Sequence, residues 1–358
     1  MNSDRTLALS VLDLVPVRTG QTSAQAVVAT LEVAATADKL GYRRYWFAEH
    51  HNMPAVASTT PPVLAAAVAA RTEQIRVGSG GVMLPNHSTL IVAEQFAALA
   101  AIAPGRIDLG LGRAPGSDPV ISQLLHQSGT APGAESFPQQ VREIMALLDP
   151  AGAGVRLRGG EGYAVRSTPV AVAGEIPQVW LLGSSGFSAK LAAELGLPYV
   201  FANHFGGPGL SDALATYRDT YQPSEAFPEP RTILTVNASV APTAEEAAER
   251  MLPQHRTMAR LRTGLPMTAQ ETVEEAQATP LPGPAESYAT KSGSTDPDRL
   301  KEVVDTPDNA LEQLTAFAGR YGVDEVMIAP VAGAYDGEPI DRAPGAEQTV
   351  RLLGEALG

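Results

Sequence analysis

Polar residues that could transfer protons directly follow an apolar stretch early in the chain. Residues 45–48 are apolar, and Glu49, His50 and His51 come at once after them. Histidine titrates near neutral pH, so His50 with Glu49 could act in general acid–base catalysis. The alternative is that these polar side chains only form hydrogen bonds at the end of the strand and have no catalytic role. Because adjacent residues of a strand face opposite ways, the two histidines are not placed to ligate one ion, and we predict no metal site.

Glycines interrupt the next apolar stretch, in the sequence Gly78-Ser79-Gly80-Gly81-Val82. Glycine weakens a strand unless a ligand or another backbone approaches it closely. A flat ring system lying against this segment would explain the pattern, and so would a bulge that curves the sheet. The segment is therefore a candidate cofactor-binding strand.

Two further segments contain residue types that bind anions. Arg113 follows an apolar stretch, and its guanidinium could pair with a phosphate. The second segment ends a predicted strand and begins a predicted helix, and its candidate ligands are Gly183, Ser184, Ser185, Gly186 and Ser188. Free backbone N–H groups and the helix dipole favour an anion at such a place. An ordinary helix N-terminus contains similar residues, so this pattern alone is moderately specific.

Asn203 and His204 follow another predicted strand and could hydrogen-bond a heterocycle. A loop histidine without a role is an equal alternative. His126 and His255 lie in predicted loop or helix, and we interpret them as surface residues. Asn203 is kept as a candidate cofactor-binding residue.

The hydrophobic pattern predicts the elements that position these residues. Apolar stretches and helical spacing alternate along the chain and indicate eight strand–helix units. The predicted strands cover residues 7–17, 43–50, 75–84, 107–112, 178–182, 199–203, 233–241 and 325–330. Eight sequential units favour an α/β fold of the (β/α)8 TIM-barrel type over a doubly wound sheet of five or six strands. The candidate residues then lie at or near the carboxyl ends of strands, where barrel enzymes have their active sites.

A long insertion separates the seventh and eighth predicted strands. Residues 263–307 are rich in Pro, Gly, Thr and Glu, and a loop of this length is usually functional or disordered. At the carboxyl-terminal face of a barrel it is a candidate mobile lid, and a solvated surface insertion is the alternative. Residues 155–172 predict a small hairpin. We predict one barrel domain over residues 1–358.

Composition narrows the classes of function. The 358-residue chain has 26 Lys and Arg against 39 Asp and Glu, a formal net charge of −13, which argues against a nucleic-acid-binding surface. It contains no cysteine, which excludes disulfides, thiolate metal sites and cysteine nucleophiles. The longest apolar run, residues 63–70, is too short to span a bilayer, and the first residues lack the apolar core of a signal peptide. We expect a cytoplasmic protein without nucleic-acid or membrane partners.

Three stretches together resemble the flavin-dependent luciferase-like monooxygenases, the family of the bacterial luciferase α subunit and of polyketide-tailoring oxygenases. They are residues 40–51 (LGYRRYWFAEHH), 81–87 (GVMLPNH) and 104–113 (PGRIDLGLGR). Residues 183–198 are similar to the family's phosphate loop and the helix after it. The resemblance extends over residues 7–330.

This resemblance implies an enzyme that uses reduced FMN (FMNH2) and O2. In the family, oxygen adds to the flavin as a C4a-hydroperoxide, which inserts one oxygen atom into a small organic substrate. The cofactor carries the oxygen chemistry, and the protein orients and shields it. A separate flavin reductase would supply the FMNH2, and the family implies a homodimer. A secondary metabolite is one candidate for the substrate.

The same resemblance implies roles for individual residues. His50 matches the family's active-site histidine, a proton donor or hydrogen-bond partner at the flavin's reactive edge, with Glu49 orienting it or binding the ring nearby. Residues 78–82 would lie against the flavin ring, where the family often has a non-proline cis peptide bond. The matches to the phosphate site are Arg113, Ser185 and Ser188, with backbone donors from Ser184 and Gly186, and His87 and Asn203 match less closely.

Other functions stay open at the level of sequence. Gly112 stands where the luciferase α subunit has a reactive cysteine, which leaves oxygenation possible and light emission doubtful. Relatives of the fold use the deazaflavin F420 for hydride transfer, so an F420-dependent oxidoreductase is an alternative. The residues from Glu49 to His51 favour FMN. A flavin-binding protein without catalysis and a metal-dependent hydrolase are further alternatives.

Overall fold

Parallel strands close into a barrel in the described part of the chain. The computed structural model describes residues 7–114, 119–126, 133–156, 160–170, 174–206, 208–291 and 300–358. The strands are β1 (Ala8–Asp13), β2 (Arg44–Phe47), β3 (Arg76–Met83), β4 (Ile107–Gly112), β5 (Ala153–Arg156), β6 (Gly162–Val165), β7 (Gln178–Gly183), β8 (Tyr199–Phe201), β9 (Thr232–Val240), β10 (Glu302–Asp305) and β11 (Glu325–Pro330). Within the described residues, β1, β2, β3, β4, β7, β8, β9 and β11 form a closed eight-stranded parallel barrel. This confirms the predicted (β/α)8 TIM barrel.

Helices surround the barrel and connect its strands. They are α1 (Ser23–Lys39), α2 (Pro61–Ala69), α3 (Thr89–Ile102), α4 (Pro119–His126), α5 (Phe137–Leu148), α6 (Gly186–Leu195), α7 (Leu210–Asp219), α8 (Ala244–Thr263), α9 (Val273–Ala278), α10 (Pro284–Lys291), α11 (Pro307–Tyr321) and α12 (Pro344–Leu357). Helix α1 shows how local sequence sets these bounds. Thr22 and Gln25 form a reciprocal capping box at its start, and Gly41 follows its end with a φ of +76°.

The predicted insertion contains regular structure in its described residues. Helix α10 packs on α8 through a small apolar cluster that includes Ala259, Leu281 and Ala285. Strand β10 adds to the barrel as a parallel neighbour of β9, in the register Glu302 to Asn237. The insertion therefore forms a structured layer over α8, and residues 292–299 of it lie outside the described residues. The predicted hairpin corresponds to the antiparallel pair β5 and β6.

Two layers of apolar side chains hold the barrel and its helices together. Inside the barrel, Trp46 and Trp180 make an edge-to-face contact with ring centroids 5.5 Å apart. The larger layer lies between strands and helices. Apolar burial on both faces is typical of parallel strands covered by helices.

Paired charges fill the amino-terminal end of the barrel. Arg44 donates to Asp108 at 2.7 Å and to Glu325 at 2.8 Å, and all three side chains are buried. Asp108 also accepts from the indole nitrogen of Trp46 at 3.0 Å. Because these groups bond to one another, the barrel's buried charge is satisfied at this end, opposite the candidate residues.

The described helices include none that combines the length and the apolar character needed to cross a lipid bilayer.

Candidate functional site

Strand β3 contains the predicted glycine segment, and its backbone is irregular there. The Gly80–Gly81 peptide bond is cis, as the resemblance implied for residues 78–82. The pairing of β3 with β4 shifts register between Gly80 and Val82, which is the bulge that the sequence left as an alternative.

Close approach of protein atoms accounts for the glycines of this segment. A Cβ on Gly78 would lie 2.1 Å from the carbonyl oxygen of Asp108, and one on Gly81 would lie 2.6 Å from that of Gly110. Neighbouring strand β4 therefore requires glycine at positions 78 and 81 even without a bound ring. A flat ring against this segment stays a prediction.

Only part of the predicted segment faces the carboxyl-terminal opening in the described structure. Gly80 and Gly81 line a cleft there. Gly78 lies against Asp108, the hydroxyl of Ser79 donates to the carbonyl oxygen of Gly110 at 2.9 Å, and Val82 is buried in the core between strands and helices. These last three residues support the cleft from behind and do not line it.

We call this opening the strand-end cleft. Its polar end consists of residues that the sequence predicted together, namely Arg113, Ser184, Ser185 and Ser188, and Gly183 also lines it. Its apolar walls include Leu182 and Val200. The fold thus brings the glycine strand, the arginine and the serine loop into one cavity.

The serine loop leads into the first turn of α6. Ser185 is the N-cap residue, and its hydroxyl makes no capping hydrogen bond within the described residues. The guanidinium of Arg113 lies 4.1 Å from the ring centroid of the half-exposed Phe187, above the same turn. Free N–H groups, free hydroxyls and a positive charge at a helix N-terminus fit a phosphate.

His50 lies at the inner end of the strand-end cleft. Its backbone N–H donates to the carbonyl oxygen of Ser58 at 2.9 Å, which fixes the loop after β2. Its Nδ1 is buried without a hydrogen-bond partner among the described residues. Burial lowers the pKa of His50, with a smaller opposing effect from Glu49, so the ring is neutral at pH 7. An unpartnered polar atom of this kind is suited to a ligand.

His204 is a second histidine of the cleft, and sequence analysis left its role undecided. Its Nδ1 lies 2.6 Å from the hydroxyl of Thr235, which donates to the carbonyl oxygen of Phe201 at 3.2 Å. Since the hydroxyl has one proton, Thr235 accepts from Nδ1–H of His204, which leaves Nε2 as a hydrogen-bond acceptor. Burial, with a smaller effect of His50, lowers the pKa of His204 to about 4.

Glu49 does not contact His50 in the way that the resemblance implied. Its carboxylate accepts from His51 at 2.9 Å, from His87 at 2.7 Å and from the backbone N–H of Met83 at 3.0 Å. The side chain is buried and does not line either cavity of this site. Glu49 therefore ties the loop after β2 to the end of β3, and it is a positioning residue.

Two other sequence interpretations require correction. The side-chain amide of Asn203 is buried and donates to the carbonyl oxygen of Leu300 at 2.6 Å, so it holds the segment before β10 and does not line the strand-end cleft. His255 is not a free surface residue, because its Nε2 lies 3.1 Å from the buried carboxylate of Glu302. The side chain of His126 lies outside the described residues.

A second cavity adjoins the strand-end cleft at His50, His204 and Phe205. We call it the apolar pocket, and it extends between the loop after β2, helix α8 and the first part of the insertion. Its lining includes Met53, Met258 and Met267. The two histidines therefore stand at the junction of a cleft whose other lining includes Arg113 and three serines and a pocket that is mainly apolar.

Comparison with known proteins places this geometry in a family. The sequence pattern of the luciferase-like monooxygenases matches residues 8–334. The chain belongs to the luciferase-like monooxygenase family. It is 42% identical over 264 residues to a luciferase-like monooxygenase of Escherichia coli K12, covering 73% of this chain and 75% of the relative. It is 31% identical over 354 residues to the N-acetyl-S-alkylcysteine monooxygenase of Bacillus subtilis, covering 98% of both chains.

Solved structures agree with this membership. The crystal structure of apo-MsnO8 superposes with a TM-score of 0.80 at 32% identity and covers 98% of both chains. Membership in the luciferase-like monooxygenases confirms the family resemblance drawn from the strand ends, and with it the class of enzyme. Among the residues that the structure describes, no group of three or more His, Asp or Glu side chains is placed to hold a metal ion.

We expect Glu49 to make the free energy of unfolding of the protein depend on pH. Burial alone would raise its pKa, but hydrogen bonds from His51, His87 and the Met83 N–H, with the charge of His87, lower it to about 2. Its pKa is thus lower in the folded than in the unfolded protein. The stabilisation is fully present above about pH 4.5 and is lost as the pH falls toward 2. We expect Glu49→Gln to lower the free energy of unfolding at pH 7 by on the order of 3 kcal/mol.

Urea unfolding between pH 7 and pH 3 measures this effect. The variant should lose less stability than the native protein between pH 4.5 and pH 3. The matched control is Glu355→Gln, whose exposed carboxylate pairs with Arg351 on α12 and should change stability by less than about 0.5 kcal/mol. If the stability of Glu49→Gln depended on pH as that of the native protein does, other titrating groups would be responsible for the pH dependence.

Proposed function

We propose that this enzyme is an FMNH2- and O2-dependent monooxygenase of a small organic molecule. One observation carries the proposal: a cleft with a positively charged, serine-lined end and a mainly apolar pocket meet at two half-buried neutral histidines, His50 and His204. The family membership supplies the class of reaction. A separate flavin reductase as the source of FMNH2, and assembly as a homodimer, remain part of this proposal.

The residues of the strand-end cleft fit FMN. Arg113, Ser185 and Ser188, with the first N–H groups of α6, would hold its phosphate. Gly80 and Gly81 leave room at the cleft wall for a flat ring, because neither has a side chain. The unpartnered Nδ1 of His50 offers the ring a polar neighbour at the inner end.

Each residue at the junction has a chemical task in this proposal. Reduced FMN, when bound, supplies the two electrons with which one oxygen atom of O2 enters the product and the other becomes water. His50, neutral at pH 7, gives or takes a hydrogen bond at the reacting edge. His204 offers Nε2 as an acceptor because Thr235 holds its proton on Nδ1. The apolar walls exclude water, which would compete with the substrate.

Rapid mixing tests the proposal. The protein is loaded with photoreduced FMN without oxygen and then mixed with O2, while flavin absorbance is followed. Reoxidation that differs clearly from that of free FMNH2 supports an oxygenating site. Reoxidation at the rate of free FMNH2, together with tighter binding of F420 than of FMN, would replace the proposal by F420-dependent hydride transfer.

Arg113 provides a separate test of the cofactor's orientation. Arg113→Gln removes the positive charge from the polar end of the cleft, and charge-assisted hydrogen bonds contribute about 1.5–3 kcal/mol. We therefore expect the Kd for FMN to rise about 10- to 100-fold. Riboflavin lacks the phosphate and is the matched ligand, so its Kd should change by less than about threefold. Equal loss for both ligands would instead place Arg113 against the ring.

A further inference from the structure

The apolar pocket contains few groups that could pair with a charged molecule. Among its described lining residues there is no arginine or lysine, and the one carboxylate belongs to Asp13. That carboxylate is occupied: it accepts from the Val15 N–H at 2.6 Å and from the hydroxyls of Thr30 and Tyr45. Burial also raises the pKa of Asp13. The pocket therefore presents no free charge of either sign from these residues.

Helix α8 forms one wall of the pocket, and its positive side chains are either paired with carboxylates or, like the exposed Arg262, absent from the described lining of the pocket. Arg250 bonds to Glu246 and to Glu338 at 2.9 Å, and Arg260 bonds to Glu271 at 3.0 Å. Arg256 also bonds to Glu271, and His255 bonds to Glu302. The face of α8 toward the pocket instead presents Gln254, Thr257, Met258 and Leu261. A helix that carries several cations thus turns an uncharged face to the cavity.

Two further polar side chains of the lining are satisfied within the protein. The Thr257 hydroxyl donates to the carbonyl oxygen of Pro253 at 2.9 Å, and the Asn237 amide donates to that of His204 at 3.2 Å. The side-chain amides of Gln254 and Gln270 have no partner among the described residues, and Gln254 lies on the uncharged face of α8. Its amide offers one donor and one acceptor group to a ligand.

We propose that the apolar pocket takes an uncharged, largely apolar organic molecule, with a carbonyl or hydroxyl group bonded by Gln254. This inference rests on the proposed function for the reaction that follows binding, but not for the charge preference itself. Three methionines in the lining, Met53, Met258 and Met267, allow the wall to adapt to different shapes. A carboxylate or ammonium group would lose its water without gaining a counter-ion there, which disfavours charged molecules.

Displacement of an uncharged fluorescent dye tests the charge preference directly. Nile red is bound to the protein in the presence of oxidised FMN and is displaced by decan-1-ol, decanoate or decylammonium. We expect the alcohol to act at concentrations at least about 30-fold lower than either ion. Equal displacement by the three molecules, or no binding of Nile red, would overturn the proposal.

Introduced charges show whether this preference comes from the pocket. Met258→Lys should bring the ratio between alcohol and decanoate to about one or below, because the lysine supplies a counter-ion. Met267→Lys, in a loop, is a second variant for the same test should the helix variant not fold. The matched control is Ala248→Lys, an exposed position of α8 outside the pocket, which should leave the ratio unchanged.

The outcomes separate this inference from the proposed function. Unchanged ratios in both pocket variants would overturn the inference, because the dye would then bind elsewhere. The assay uses neither reduced flavin nor turnover. A preserved charge preference in a protein that fails to oxygenate would overturn the proposed function alone.

Discussion

Glutamine in place of His50 is expected to lower the rate of substrate oxygenation by about 100-fold or more while the Kd for FMN changes by less than about threefold. His50 lines both the strand-end cleft and the apolar pocket, whereas Arg113, Ser185 and Ser188, the proposed phosphate ligands, line the cleft alone. Its Nδ1 is buried and unpartnered among the described residues, so its hydrogen-bonding capacity is available to a reacting group. Loss of this group should therefore affect the reaction and spare cofactor binding.

Product formation and hydrogen peroxide release, measured in the same reaction, test this expectation. If His50 assists oxygen transfer, the variant should consume O2 and release peroxide in place of product. The control His255→Gln removes a histidine that bonds to Glu302 outside both cavities and keeps a donor there, so its product yield should match the native protein. A large loss of FMN affinity in His50→Gln would assign His50 to cofactor binding instead.

The barrel could be predicted from sequence because its signals are local. Short apolar strands such as β4 and β7 alternate with helices whose apolar residues recur every three to four positions, and both periods are visible without knowledge of the fold. The same locality placed Arg113 and the Ser184–Ser188 loop correctly at strand ends. Parallel strands then bring those ends together at one face.

Hydrogen-bond partners on different strands and loops of the barrel could not be predicted from the sequence. The resemblance paired Glu49 with its neighbour His50, but both residues lie in the loop after β2, and the Glu49 carboxylate accepts from His51 and from His87, which follows the next strand. The bond from Asn203 to Leu300 joins positions 97 residues apart. The hydrophobic periodicity of the chain does not indicate such contacts, because they depend on how distant segments pack.

The segment that follows the insertion shows a different limit of prediction from sequence. Helix α11 has buried residues at helical spacing, Ala310, Leu314 and Phe317, and Gly322 follows its end. The same spacing is present in the sequence, but no helix was predicted between the insertion and the eighth strand. The Pro- and Gly-rich composition of residues 263–307 indicated a loop, and it carries no information about the helical spacing that follows it.

Alanine at position 78 is expected to destabilise the protein by about 3 kcal/mol or more, whether or not a flavin is bound. A Cβ there would lie 2.1 Å from the carbonyl oxygen of Asp108, and a backbone atom in the middle of a barrel cannot move away as a flexible side chain can. In an unconstrained strand the same change would be favourable, because glycine has the greater conformational entropy to lose. The close approach of β4 is therefore the reason why we expect Gly78→Ala to lower the stability of the protein.

Thermal unfolding without and with FMN measures this effect, and Gly319→Ala is the matched control. Gly319 is an exposed residue of α11 outside both cavities and has no atom within 4 Å of the added methyl group, so alanine there should leave stability unchanged or raise it by up to about 1 kcal/mol. Gly78→Ala should lower the midpoint by about 5 °C or more in both conditions. A Gly78→Ala protein as stable as the native one, but with weakened FMN binding, would show instead that the cofactor requires this glycine. Opposite signs at the two positions would show that β3 needs glycine at position 78 in order to pair with β4.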